Sequence, residues 1–472
     1  MFIMKKIIYL FLILFHGFTL VIGQTIRFVK PVPSGLGDGS SWENASGDLM
    51  LMVNNSNPGD FVWVVEGEYL GDASSSTSFF LKEGITLLGG FPASMEGTLE
   101  NRNPAAHLTI LKAIGSQRVL RFPTSAYQTI CDGFVLQGGN LPSLQGGGAF
   151  LEYQSVLRNC IIRHCHAALG GGIYLFTGGV IDHCLIENNS SVLSGGGVWI
   201  NQGGLVQNCV VRSNQADNAG GVGVEIQGKV LNCVISNNTA TSSSGGLYVS
   251  GKATVVNCTV VKNKAEGSIG EQVLTNAKIY NSVFWGNTPL MTQSETTVSD
   301  CAIEGWIGAG GNIVLSALNN DAGAPSPWFK QPSINAGHLG DVDGLADWAV
   351  TKESALVNRG ANGWVPASLD VDLAGSQRIY DDVVDMGAFE LQEKLATGVL
   401  NPEYSLQVEM SSSQLVVHGL VPGQTISLYS ATGQLILQEV VSSDQSTIKT
   451  GSFAPGLYFL KSGTWLYKWV KR

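Results

Sequence analysis

Five cysteines stand in single file along this chain. Cys160, Cys184, Cys209, Cys233 and Cys258 recur every 24 or 25 residues, and Ser282 takes the next place. A thiolate is a nucleophile, a metal ligand and a disulfide partner, so the spacing must be tested against each chemistry. A metal site needs several ligands to converge, and one cysteine per period gives no close pair. Disulfides are open to an exported chain. Stacked positions on adjacent in-register strands, however, are poorly placed for the required S–S dihedral. The cysteines therefore read as free thiols, a column of small apolar core side chains. Asparagines recur in the same phase: Asn189, Asn214, Asn238, Asn263 and Asn287, and an earlier set at Asn159, Asn208, Asn232, Asn257 and Asn281. Stacked carboxamides can hydrogen-bond along such a column, so both sets read as structural ladders at turns.

A third column is aromatic. Phe150, Tyr174, Trp199, Gly223 and Tyr248 each lie three residues after an aligned glycine, flanked by aliphatic residues that point the other way. Outward rings one strand spacing apart could stack on successive rings of a glycan. The plainer alternative is that they pack on one another, since cross-strand aromatic pairs stabilise sheets by themselves. Catalytic groups are harder to find. A glycoside hydrolase needs two facing carboxylates, yet Asp182, Glu187, Asp217, Glu225 and Glu266 occupy different slots of the period. A polysaccharide lyase needs a base beside a cation, and Arg158, Arg163, Arg212 and Lys229 are likewise out of register. No catalytic residue is assigned. Asp341, Asp343 and Asp347 have a spacing that could ligate calcium, but they fall short of a full ligand set, and a closing turn accounts for them. No cofactor is expected beyond that weak possibility of calcium. Asp370, Asp372, Arg378 and Asp385 read as a buried ion-pair cluster sealing a cap, and His164, His166 and His183 as turn or surface histidines.

These columns exist because the chain repeats. RNCIIRHC, DHCLIENN, QNCVVRSN, LNCVISNN, VNCTVVKN and YNSVFWGN are successive copies, and glycines recur in phase at Gly147, Gly171, Gly196, Gly220, Gly245 and Gly270. A period of 24–25 with two short β-type runs per copy leaves no room for an amphipathic helix. Each copy is one coil of a parallel β-helix. Alternation points Ile173 and Leu175, Val198 and Ile200, Val222 and Val224, and Leu247 and Val249 inward, together with Cys209 and Val211. A solenoid needs capped ends. Residues 24–60 supply a turn-rich start with one helix over the first coil, and residues 300–395 the irregular closing coils.

Composition agrees. Charged residues are 14% and glycines number 59 in 472 residues, which favours a turn-dense β structure. The net charge is −10; residues 1–23 carry +2 and residues 396–472 carry +1, leaving the body at −13. An acidic body argues against nucleic acid. The first residues combine Lys5 and Lys6 with an apolar run to Ile22 and small residues near Gly23, so cleavage would leave Gln24 first. That is the form of a secretory signal peptide, too short for a membrane anchor.

The stretches GDGSSWENASGDL and GDFVWVVEGEYLG resemble the start of secreted right-handed parallel β-helix repeat proteins. DVDLAGSQRIYDDVVDMGAFE, with Asp370, Asp372, Gly375, Arg378, Asp385, Gly387 and Glu390, resembles the choice-of-anchor Q region that closes such helices. Residues 398–472 alternate as an all-β sandwich would. Leu428-Tyr429 before Thr432-Gly433-Gln434, then Pro455-Gly456-Leu457-Tyr458 and a basic end at Lys468, Lys471 and Arg472, resemble a C-terminal sorting domain of type IX secretion. Only Asn401-Pro402 remains of that family's usual opening motif. The sequence thus predicts an all-β chain, a right-handed parallel β-helix plus a small C-terminal β-sandwich. The expected order is a signal peptide at 1–23, a cap at 24–60, the helix at 61–299, closing coils at 300–395 and a sorting domain at 396–472. The resemblance implies the type IX secretion machinery as a partner and a secreted or outer-membrane-surface location. The expected role is adhesin-like or glycan-binding, toward an extracellular glycan or cell-surface ligand. A polysaccharide lyase or glycoside hydrolase on the same scaffold is the alternative.

Overall fold

In the computed structural model each regular coil of the middle of the helix contributes four short parallel strands, where the sequence suggested two. The structure describes residues 24–393, apart from 73, 94–96, 275, 295, 307–311, 316–327, 342–343 and 353, together with the strands and some connections of 407–471. The expected leader, including Gly23, lies outside the described residues. One coil runs Val180–Asp182, Leu185–Glu187, Ser190–Ser194 and Val198–Gln202. These strands belong to sheets one, two, three and four, which hold eleven, eleven, six and nine parallel strands among the described residues.

The extra strands come from bends of a single residue. At the corner between sheets one and two, Asn159, His183, Asn208, Asn232, Asn257, Asn281 and Asp300 all have φ between 49° and 54°. Asparagine and aspartate tolerate this left-handed region better than most residues. The bend turns the chain while keeping three neighbours inward, so Val206, Cys209 and Val211 are all fully buried. Each cysteine spans its bend: Cys209 Sγ donates to Gln207 O at 2.9 Å and accepts the Cys184 N–H at 3.4 Å. Ser282 fits the same slot because its hydroxyl donates to Tyr280 O at 2.8 Å. The eight cysteines are free and buried.

A second bend joins sheets two and three, and behind it stands the buried asparagine ladder. Asn214 Nδ2 donates to Ile186 O and to Asn238 Oδ1, and its backbone N–H donates to the same Asn238 oxygen, all within 3.0 Å. The inner column is thus a mutual ladder. The outer column differs: only Asn232 Nδ2 to Asn208 Oδ1, at 2.7 Å, joins two of its members. Between sheets three and four run the paired glycines. A Cβ at Gly197 would meet the carbonyl of Gly221 at 2.8 Å, so the backbones of successive coils touch there.

The helix Leu49–Asn54 covers the first coil; Asp48 caps it, and Leu49, Met52 and Val53 are buried. At the far end the expectation of closing coils is corrected. Strands continue to Ile313–Leu315, but residues 328–393 fold back as a strap along the side of the solenoid. Open bends at the corner of sheets one and two provide the reason, because their asparagine amides bind the strap's backbone. Asn281 Oδ1 accepts the Ala361 N–H at 2.8 Å and Nδ2 donates to Ala361 O at 3.0 Å. Asn257 Nδ2 donates to Asp385 O at 3.3 Å.

Contacts divide the chain into two compact units, 1–393 and 394–472. Within the second, a three-stranded and a four-stranded antiparallel sheet share a core that includes Leu415, Val417, Ile426, Leu428, Ile448 and Leu460. Tyr429 and Lys468 lie in strands of the four-stranded sheet. Asn401-Pro402, Thr432-Gly433-Gln434, Pro455 and Arg472 lie outside the described residues.

Candidate functional site

The aromatic column is in register on the outer side of sheet four. Its rings meet one another. Phe150 and Tyr174 stack with centroids 5.3 Å apart, and Trp199 and Tyr248 stack at 6.1 Å. Arg118 and Arg121 lie 5.0 and 5.2 Å over Phe150. Tyr174 and Trp199 are only 6% and 9% exposed. Rings stacked along the solenoid axis spend their faces on each other and turn edges to the solvent, whereas a sugar needs a free face. The expectation that Phe150, Tyr174, Trp199 and Tyr248 form a glycan platform is corrected on that ground.

The other sequence candidates separate. Asp341 Oδ1 accepts the N–H groups of Leu345 and Ala346, its other oxygen lies 3.8 Å from Arg212, and Asp347 caps Ala349. Asp343 lies outside the described residues, and among the described residues no three His, Cys, Asp or Glu side chains converge as a metal site would require. Arg378, Asp372 and Asp385 do come together and are joined by Glu390, whereas Asp370 is exposed and stays outside, a correction to the expected cluster. Arg378 is fully buried, 3.2 Å from Glu390, and reaches Asn232 Oδ1 at 3.2 Å and Asp385 O at 2.9 Å. The knot pins the strap to the outer asparagine column rather than closing the helix end.

Asp132 and Asp182 on the outer face of sheet one, and His183 at its corner, are already committed. Asp132 takes Arg102 and Arg158, each at 2.6 Å, and Asn159 at 3.0 Å. Burial pushes its carboxyl up, but Arg102, Asn159 and Arg158 together hold it below the ordinary value. Asp182 is buried in part, and its bonds with His183 and Asn208 likewise hold it low. His183, bonded to Asp182 at 2.8 Å, is raised by that bond. A glycosidase acid has to be held protonated. The carboxyls that are raised, Glu271, Asp385 and Glu390, are 1%, 1% and 5% exposed.

An open site does exist, at the corner between sheets four and one. Gly178, Gly179 and Gly204 leave a trough of about 370 Å³ floored by Val156, Val180 and Leu205. Tyr153 stands beside it, 59% exposed, its ring against Gly178. Gln128, Gln154, Gln227 and Lys229 line the rim. A free aromatic face, half-buried aliphatics and side-chain amides together suit a sugar ring. Sequence reasoning missed Tyr153 because it sits in a turn, outside the strand alternation; the available signal was a corner where later copies read Gly-Gly. A larger cavity of about 510 Å³ lies at the corner of sheets one and two, between Arg102–Ala105 and Ile161, His183 and Leu185. Its Arg102 is spent on Asp132 and Gly89 O.

Comparison with known proteins bears on the fold. Residues 134–265 match the family model described as a right-handed β-helix region. No curated protein matches the sequence. Among solved structures, a pectate lyase, Pel9A, aligns over 78% of this chain and 97% of its own, with 14% identity and a TM-score of 0.42. The chain is a right-handed parallel β-helix protein with a small C-terminal all-β unit.

Proposed function

We propose that this protein binds an extended glycan along the corner of sheets four and one, with Tyr153 as the stacking ring. The supporting observation is the free ring beside a trough that the glycines keep open. Repeating coils suit a repeating ligand, because a chain of sugars can advance along the solenoid as the strands do. In this reading the protein is exported, cut before Gln24, carried by the type IX machinery through the unit at 396–472, and displayed at the outer-membrane surface or released. It acts there as an adhesin-like contact with extracellular glycan.

The test is a panel of soluble polysaccharides offered to the mature protein, scored for binding and for new reducing ends. Saturable binding without turnover, lost in Tyr153→Ala, is the expected result. Release of new ends from any one polymer would overturn it in favour of a lyase or hydrolase. Export is checked by the N-terminal sequence of the secreted protein and by deletion of residues 396–472, which should strand the body inside the cell.

A further inference from the structure

We infer that the glycan is anionic, with one carboxylate on every second sugar; the inference rests on the glycan reading above. From the trough the outer face of sheet one continues through Leu205, Lys229, Thr254, Lys278 and Thr297, each in register with the next. Lys229 and Lys278 are exposed, as is Lys252 at the adjoining bend. Among the described residues none of the three lysines has an ion-pair partner. On a body of net charge −13, a file of unpaired cations leading out of a sugar-sized trough calls for a ligand. The parallel column on the same strands, Leu231, Val256 and Tyr280, is buried, and Trp364 of the strap stacks on Tyr280 at 3.9 Å. The strap thus forms a wall.

Register sets the charge spacing. Lys229 and Lys278 stand two coils apart, about 10 Å, with Thr254 between them. An extended β-linked chain advances by roughly two rings over that distance, so the carboxylates meet the lysines when they alternate with neutral sugars.

The experiment is calorimetry of the mature full-length protein with equal-length oligosaccharides of three kinds: hyaluronan (carboxylate on alternate rings), oligogalacturonate (on every ring) and cello-oligosaccharide (neutral). The alternating chain is expected to bind tightest. Lys229→Gln/Lys278→Gln should weaken it roughly tenfold and flatten its salt dependence, with the melting temperature unchanged. Equal affinity for the neutral chain, tighter binding of the fully charged one, or indifference to the double substitution would each overturn the inference while leaving glycan binding intact. Failure of all three to bind, or binding that survives Tyr153→Ala, would remove the glycan reading itself.

Discussion

The indole of Trp199 lies across Gly223 of the next coil, and a Cβ at that glycine would fall inside the ring's contact distance. What reads as a gap in an aromatic file is the space its largest ring occupies, and Tyr248 then stacks on Trp199 from one coil further on. Gly223→Ala should therefore destabilise the helix by about 1–3 kcal/mol, the usual cost of overpacking. Chemical denaturation of the mature chain measures it; an unchanged midpoint would refute the packing.

The asparagine ladder makes a larger claim. Asn238 Oδ1 accepts two N–H bonds from Asn214, and its Nδ2 donates to Val211 O and Asn263 Oδ1. Leucine at 238 would leave the Asn214 N–H buried without a partner and remove the side-chain bonds to Val211 O and Asn263 Oδ1. At about 1–3 kcal/mol for each group, Asn238→Leu should cost about 3 kcal/mol or more. The half-buried Asn201, whose amide makes only a long 3.5 Å contact with Phe176 O, should by contrast leave the melting temperature where it was on Asn201→Ala.

The coil period, the inward residues and the cysteine file were legible because stacking puts like residues on like and copies any constraint on one coil into all of them. Bends of one residue were not, since Asn208 and Cys209 look like consecutive strand positions until a positive φ separates them. The strap was illegible for the opposite reason: residues 328–393 do not repeat, and their partners, Asn232, Asn257 and Asn281, are distant in sequence. An acidic motif with one arginine shows a buried knot but not what it is tied to.

Arg378 gives that knot a measurable consequence. It is the only described cation in contact with the buried Glu390, whose carboxyl burial and the nearby Asp385 push up to about 8. Arg378→Ala should cost about 3–5 kcal/mol locally, as loss of one partner of a buried pair does. Hydrogen exchange should rise across 357–390 while the ladder amides between 160 and 240 stay protected. Uniform exchange throughout would show that strap and helix open as one.

Glu271 carries a pH dependence. It stands one period after Gly246, and its buried carboxylate accepts the N–H groups of Gly246 and Leu247, where earlier coils use backbone carbonyls. Burial pushes it up to about 7 against an ordinary 4.5, the two N–H bonds opposing. A carboxyl raised on folding stabilises most while protonated in both states, so its contribution is complete below about pH 4.5 and is lost as pH rises through 7. Glu271→Gln removes that titration. Melting temperatures taken from pH 4 to 8 should drop less steeply in the variant, and parallel curves would rule the group out.

Tyr153 and Trp199 separate binding from folding. Trp199 has its faces covered and is 9% exposed, so Trp199→Ala should lower stability by about 3–5 kcal/mol and leave the affinity of the folded protein for glycan unchanged. Tyr153 lies against a glycine turn and is 59% exposed; Tyr153→Ala should leave the melting temperature within a degree or two and weaken binding at least tenfold, about 1.4 kcal/mol. The two substitutions are predicted to cross over. If Trp199→Ala were the one that lost affinity while folded, the edges of the stacked column would be the contact, and the ligand would have to recognise polar ring edges instead of a free face.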